Sequence, residues 1–295
     1  MPEEFWPATP PKKILLATDL SGLSDRALDR AAQLAKTWAA ELVVVHAVEG
    51  SGPAFADHDA LPSWRRAPET TSFIERQIRE DVGALCPRLK IHVERGAAAQ
   101  VIVDAIEREK CDLVVLGVGR PRPLGGLGRT IDELFRRSPV SVLITKRRAH
   151  APYRHVLVGT DFTDEARRGL EVAAQLFPDA RFALMHAYEM PYRALLSDTQ
   201  LSRDFGQMER ETIQAFLDAA DVPEATRSRM EILIEHGRPE SMLSAYVLEK
   251  GADLTVIGAY ERSRLFHLVV RGMGPRIVDA MPSDVLVVRA ERSAA

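Results

Sequence analysis

The sequence predicts an α/β protein made of two copies of a five-stranded parallel sheet with helices on both faces. Three observations carry this reading. Short, continuous apolar runs such as ILLAT and LVVVHAV are bounded by turn residues and read as buried strands. Longer segments with helical spacing of apolar residues lie between them. The whole alternation then occurs a second time, in the same order, at a period of about half the 295-residue chain.

The duplication is visible residue by residue. KKILLATDLS (12–21) matches RHVLVGTDFT (154–163), and LVVVHAVE (42–49) matches ALMHAYE (183–189). VERGAAAQVIVDAIEREKCDLVVLG (93–117) matches IEHGRPESMLSAYVLEKGADLTVIG (234–258), and SPVSVLITKR (138–147) matches PSDVLVVRA (282–290). A period this long is far beyond a solenoid repeat and means whole domains. The seam falls in KRRAHAPYR (146–154), giving expected domains 1–149 and 150–295. So short a junction predicts closely docked halves.

Taken in order through the first half, ILLAT is strand one. Ser24 and Asp25 then offer an N-cap and a favourable first-turn charge for a helix. That helix lines up Ala27, Leu28, Ala31, Leu34, Ala35 and Trp38 on one stripe. LVVVHAV is strand two. Phe73, Ile74, Ile78, Val82 and Leu85 mark a second helix over 69–85, and 91–94 form a short third strand. Val101, Ile102, Ala105 and Ile106 define a third helix, DLVVLG the fourth strand, TIDELFRR the fourth helix and SVLIT the fifth strand. The crossovers joining parallel strands are expected to be right-handed.

Composition narrows the function. The net charge of −3 gives no global basic field for nucleic acid. No apolar run approaches the ~20 residues of a membrane span, and the start, MPEEFWPATPPKK, lacks the basic segment and apolar core of a secretory leader. Two cysteines, Cys86 and Cys111, are too few for a disulfide framework. Together these point to a cytoplasmic location. Neither cysteine joins a metal-like cluster, and no HxxxH or HxH pattern accompanies His92 or His236. His46 and His186 sit in apolar strands and read as packed, hydrogen-bonded core residues. The chain contains no GxSxG, HExxH or GxxxxGK[ST] motif.

The stretch GVGRPRPLGGLGRT (117–130) stands out, with five glycines, two prolines and three arginines between strand four and helix four. In open α/β sheets ligands bind beyond the carboxyl ends of the strands, where strand order reverses. If strands one and four flank that reversal, Asp19 and Gly117 face one crevice. Arg120, Arg122 and Arg129 then either meet phosphate or simply solvate the loop.

These motifs resemble the universal stress protein family in its tandem form. The resemblance is carried by KKILLATDLS, the strand ending in His-Ala-Val-Glu, CDLVVLGVGR and SPVSVLI, and by their second copies RHVLVGTDFT, LMHAYE, ADLTVIGAY and PSDVLVV. It implies the strand order 3-2-1-4-5 of an adenine-nucleotide α-hydrolase-like sandwich. It also implies pairing of the two fifth strands, SVLIT and DVLVV, as an intramolecular pseudo-dimer. A further homodimer of such chains stays open.

The resemblance also implies a stress-response regulatory protein, with ATP and Mg²⁺ as cofactors where the loop follows the pattern Gly, two residues, Gly, nine residues, Gly, then Ser or Thr. Glycines let backbone N–H groups approach phosphate. In the first half this carries nucleotide binding onto Asp19, Ala47, Gly117, Gly119, Gly128, Arg129 and Thr130. The match departs from the pattern. Arg120 occupies the second glycine position, Gly119 comes one residue early, the loop is about two residues short, and Arg129 replaces the hydroxyl residue, with Thr130 following. In the second half the corresponding residues are Asp161, Ala187, Gly258 and Gly272. Glu261 occupies the second glycine position and Met273 replaces the hydroxyl, which marks a degenerate site.

Two other readings stay open. The broken spacing fits a protein that carries a different small ligand or acts through its surface. A true ATPase would need a turnover that these residues do not suggest, and slow, incidental ATP hydrolysis is the most expected of them. Segments 50–68 and 190–206 differ most between the halves and are candidate lids or contact loops.

Overall fold

Buried strand sequences and amphipathic helices alternate through each half as the apolar pattern requires. The structure, a computed structural model, describes residues 10–49, 70–119, 126–189, 208, 211–259 and 273–289. The candidate lids at 50–68 and 190–206, together with Arg120, Arg122, Glu261 and Gly272, lie outside these residues.

The chain divides into two units, one reaching His150 and the other starting at Ala151. In the first unit the elements are β1 (Lys13–Ala17), α1 (Asp25–Thr37), β2 (Glu41–Val48), α2 (Thr70–Val82) and β3 (Leu89–Arg95). They continue with α3 (Ala98–Glu109), β4 (Leu113–Gly117), α4 (Arg129–Arg137) and β5 (Ser141–Thr145). All the strand pairs are parallel: β3 with β2, β2 with β1, β1 with β4 and β4 with β5. The order is therefore 3-2-1-4-5, and it reverses between β1 and β4.

The central strands are apolar because both their faces are covered. Ile14, Leu15 and Leu16 of β1 and Val114 and Val115 of β4 are fully buried. Their register is pinned by Asp112, whose Oδ2 accepts the N–H groups of Lys12 and Lys13 at 2.7 and 2.9 Å.

The second unit repeats the design. It contains β6 (His155–Gly159), α5 (Asp164–Leu176), β7 (Arg181–Tyr188), a helix α6 over 211–219 and α7 (Glu224–Arg227). β8 (Glu231–His236), α8 (Pro239–Lys250), β9 (Leu254–Ala259), α9 (Met273–Ala280) and β10 (Asp284–Arg289) follow. Its parallel pairs, β8 with β7, β7 with β6, β6 with β9 and β9 with β10, give the same order. Asp253 plays the part of Asp112, accepting from the N–H groups of Arg154 and His155 at 3.0 and 3.1 Å.

Three local expectations are corrected. Ser24 stands just before α1 with backbone angles that are already helical and makes no side-chain cap; its hydroxyl donates to Asp19. Trp38 lies beyond the last residue of α1 and is half-buried. Ile78 and Val82 form the buried face of α2, whereas Phe73 is 52% and Leu85 48% exposed. The Arg76 guanidinium lies over the Phe73 ring, 5.5 Å from its centre.

Both cysteines are buried and unpaired. Burial pushes the Cys111 thiol up to about 12, and it raises Cys86 as well, so both are inert space-fillers. Among the described residues, no helix is long and apolar enough to cross a membrane.

Candidate functional site

Beyond the carboxyl ends of β1 and β4, where the strand order reverses, the first unit has a cleft of about 780 Å³. That volume suits a ligand of nucleotide size. Asp19, Ala47, Gly117, Gly119, Gly128, Arg129 and Thr130 all line it. The sequence pattern that singled them out is thus collected into one place by the fold.

The floor of the cleft is a tight turn after β1. Thr18 continues the ladder through its N–H to Val45 O at 3.1 Å, and its hydroxyl accepts the N–H of Leu20 at 3.0 Å. Leu20 is forced to φ 59°, a left-handed conformation that costs a non-glycine residue about 1–2 kcal/mol. The turn aims Asp19 into the cleft. Its Oδ1 accepts from the Ser21 N–H at 3.0 Å and the Ser24 hydroxyl at 2.5 Å. Burial is the largest influence on this carboxyl and pushes its pKa up, but the hydrogen bonds from Ser21 and Ser24 together outweigh it. The net result lies below the ordinary value, and Asp19 is a carboxylate at neutral pH.

His46 braces the same turn. Its Nδ1 lies 2.9 Å from Thr18 O. A carbonyl only accepts, so Nδ1 is the donor and Nε2 remains as the free ring nitrogen of the neutral form. This is the hydrogen-bonded histidine expected from the sequence, although it is half-buried at the cleft wall rather than sealed in the core.

Gly117 and Gly128 are glycines for different reasons. A Cβ on Gly117 would lie 3.2 Å from Leu23 O, so this position admits the chain entering α1. Gly128 has φ +100° and makes no such close contact, and its need is conformational. It precedes α4 without a side-chain cap. The first intrahelical bond of α4 is Asp132 N–H to Gly128 O, which leaves the N–H groups of Arg129, Thr130 and Ile131 without helical acceptors. Those donors and the helix dipole favour an anion.

The sequence reading gave no part in the cleft to Thr18, Ser24 or Glu49, although all three line it. A signal was present: Thr18 and Glu49 recur as Thr160 and Glu189 in the duplicated segments. Ser24 has no such echo, since Ala166 stands in its place.

The second unit keeps the floor and changes its surroundings. Phe162 has φ 65°, the Thr160 hydroxyl accepts its N–H at 2.9 Å, and His186 Nδ1 donates to Thr160 O at 2.8 Å. Asp161 Oδ1 accepts both the N–H and the hydroxyl of Thr163, at 3.2 and 2.6 Å, and Thr163 in turn caps α5 through Ala166 N–H. Ala187 is half-buried on β7. Gly258 lies under the first turn of α5, where a Cβ would meet Glu165 O at 2.3 Å. Aromatic rings gather here: Phe162 lies 4.4 Å from His186, His186 5.3 Å from Tyr188, and Tyr188 4.9 Å from His236. Their counterparts in the first unit are Leu20, His46, Val48 and Arg95.

Known proteins support the same grouping. The model of the universal stress protein family matches residues 10–146 and again residues 152–289. Universal stress protein A homolog 1 of Coxiella burnetii is 33% identical over 111 residues, covering 36% of this chain and 75% of that protein. A universal stress protein structure from Pseudomonas aeruginosa superposes with TM-score 0.67 at 18% identity, covering 94% of this chain and 93% of that one. One from Archaeoglobus fulgidus gives 0.66 at 19% identity, covering 96% and 97%.

Proposed function

The chain belongs to the universal stress protein family, with two such domains in tandem, and from that premise we propose that it is a cytoplasmic regulatory protein whose first half binds an adenine nucleotide. The observation that carries this reading is the convergence, in one cleft of about 780 Å³, of the Asp19 carboxylate, Gly117, Gly128 and the uncapped start of α4. The N–H groups of Arg129, Thr130 and Ile131 would receive phosphate oxygens. Ala47 would lie beside the base, and Asp19 would accept from ribose hydroxyls.

The residues fit such a ligand in kind as well as in place. The start of α4 presents donors without helical acceptors, the Arg129 guanidinium supplies the positive charge that the missing hydroxyl residue would not, and Thr130 supplies a hydroxyl one position later. When bound, ATP with Mg²⁺ would contribute charge and shape. The second half we read as degenerate, with Met273 where the first half has Arg129.

Calorimetric titration of the full chain with ATP tests the reading. Wild type is expected to bind one equivalent. Asp19→Ala is expected to weaken binding ten- to a hundredfold, the effect of losing one or two hydrogen bonds to a charged acceptor. Asp161→Ala is expected to leave it unchanged. No heat with wild type, or equal binding by Asp19→Ala, removes the proposal.

A second reading is supported by the two carboxylates in the cleft, Asp19 and Glu49, which oppose a polyphosphate. In it the cleft carries an uncharged small ligand, or the protein acts through its surface. Mass spectrometry of what co-purifies separates the two: an adenine nucleotide supports the first, a neutral mass the second.

A further inference from the structure

The carboxylate of Glu49 lies between the two helix starts that border the first cleft. Glu49 follows β2, and its Oε1 accepts the N–H of Ala98 at 2.8 Å. The same oxygen lies 3.6 Å from Nη2 of Arg129. Ala98 opens α3, and the preceding Ala97 offers no side-chain cap, so Glu49 supplies the acceptor from another element. Arg129 opens α4. All three residues line the cleft.

The second half shows what changes when this arrangement is taken apart. Glu189 is the counterpart of Glu49. Pro239 opens α8 at the position of Ala98, and proline has no N–H to satisfy. Glu189 pairs instead with Arg238 Nε at 3.1 Å, a cation at the start of α8. Met273 takes the place of Arg129. The same carboxylate is thus neutralised from the α8 side in one half and lies beside Arg129, a cation at the start of α4, in the other.

The Glu49–Arg129 pair is weak by geometry. Its 3.6 Å separation exceeds a charge-assisted hydrogen bond, about 2.7–2.9 Å, and Arg129 is 68% exposed. A phosphate offers the guanidinium a closer, two-pronged partner. Yet it enters a cleft whose described lining sets Asp19 and Glu49 against Arg129.

We infer that Glu49 is a built-in competitor for phosphate: it holds Arg129, and a polyphosphate has to take Arg129 from it, so the cleft discriminates ligands by phosphate charge. This rests on the nucleotide reading above and adds its regulation. Any partner or modification that draws Glu49 away would raise nucleotide affinity.

The experiment is calorimetric titration of the full chain with ATP and, separately, adenosine, using wild type, Glu49→Gln, Arg129→Ala and the double variant. Glu49→Gln keeps an oxygen for Ala98 N–H and removes only the charge. It is expected to bind ATP several-fold more tightly and adenosine unchanged, with an unaltered unfolding midpoint. Arg129→Ala is expected to weaken ATP about tenfold and spare adenosine. The double variant is expected to match Arg129→Ala alone, because the competition runs through that side chain. Equal ATP affinity in wild type and Glu49→Gln overturns the inference while leaving nucleotide binding intact. So does an equal gain from Glu49→Gln with and without Arg129. Should Glu49→Gln unfold, Arg129→Ala still decides: equal losses for ATP and adenosine sink the idea. Silence from wild type and Glu49→Gln alike removes the nucleotide reading, and this inference with it.

Discussion

The two halves grew from one design and now differ in what surrounds a shared turn after the first strand. Both keep Thr-Asp after the first strand, a left-handed residue at the next position and a histidine donating to the threonine carbonyl. Around that turn the first half has Leu20 and Val48 where the second has Phe162 and Tyr188, and in the sequence Arg129 has Met273 as its counterpart. The difference teaches that the turn is a requirement of the fold, while its surroundings carry the specialisation. A motif residue found in both halves is therefore weak evidence for a ligand. A residue found in one half alone, such as Ser24 or Arg129, is stronger evidence.

The glycine ending the fourth strand sharpens this most. If Gly258 serves packing, Gly258→Ala should cost about 3 kcal/mol or more, because the new Cβ meets the Glu165 backbone at 2.3 Å, where no side chain can yield. Gly117→Ala, with its closest contact at 3.2 Å, should cost nearer 1 kcal/mol. Thermal unfolding of the two variants checks the ranking; equal costs would break the comparison.

A smaller effect is expected where the helix before the fourth strand of each half ends. Gly251 closes α8 at φ 69°, and Lys110 closes α3 at φ 55° with a side chain that disfavours it. Lys110→Gly should stabilise the protein by about 0.5–1 kcal/mol, and Gly251→Ala should destabilise it by a similar amount. Chemical denaturation of both variants reads the two signs directly.

The last contrast is in pH. His155 is buried, and burial first, then the nearby Arg181 charge, holds its pKa below the ordinary value. Arg181 donates to His155 Nδ1 at 2.9 Å, so the other ring nitrogen carries the proton and faces the Tyr246 hydroxyl at 3.2 Å. Tyr246 in turn donates to Glu231 at 2.7 Å. Protonating Nδ1 would set donor against donor. Above about pH 6.5 the ring is neutral in both folded and unfolded chains. Below it the unfolded chain takes up a proton that the folded one resists, so stability is lost as pH falls and levels off beneath the folded pKa. Wild type should therefore lose stability between pH 7 and 5 more steeply than His155→Gln. Parallel curves would show that this histidine is not responsible.

Much of this protein was legible from the chain alone. The continuous apolar runs had to be strands covered on both faces, and the duplicated order had to mean two domains of one topology. Asp19, Ala47, Gly117, Gly119, Gly128, Arg129 and Thr130 were named from motif position, and the fold gathers them in one cleft. Legibility failed where a side chain had two candidate partners. Ser24 reads as a helix cap, but its backbone is already helical and its hydroxyl serves Asp19 rather than the helix start. Phe73 and Leu85 fit the helical stripe of α2, but the neighbouring elements cover only its Ile78 and Val82 face.

Sequence by itself determined the strands, the helices and their repetition, because periodicity and turn chemistry act over a few residues and are written locally. Tertiary structure decided which distant groups meet. Glu49 reaches Ala98 and Arg129 across 49 and 80 positions only because the end of β2 and the starts of α3 and α4 converge beyond the carboxyl ends of the strands. The Gly258 contact with Glu165 likewise exists only after β9 and α5 pack. Local energies set the elements, and long-range packing sets the chemistry, since hydrogen bonds and ion pairs depend on ångström separations that no short window of residues encodes.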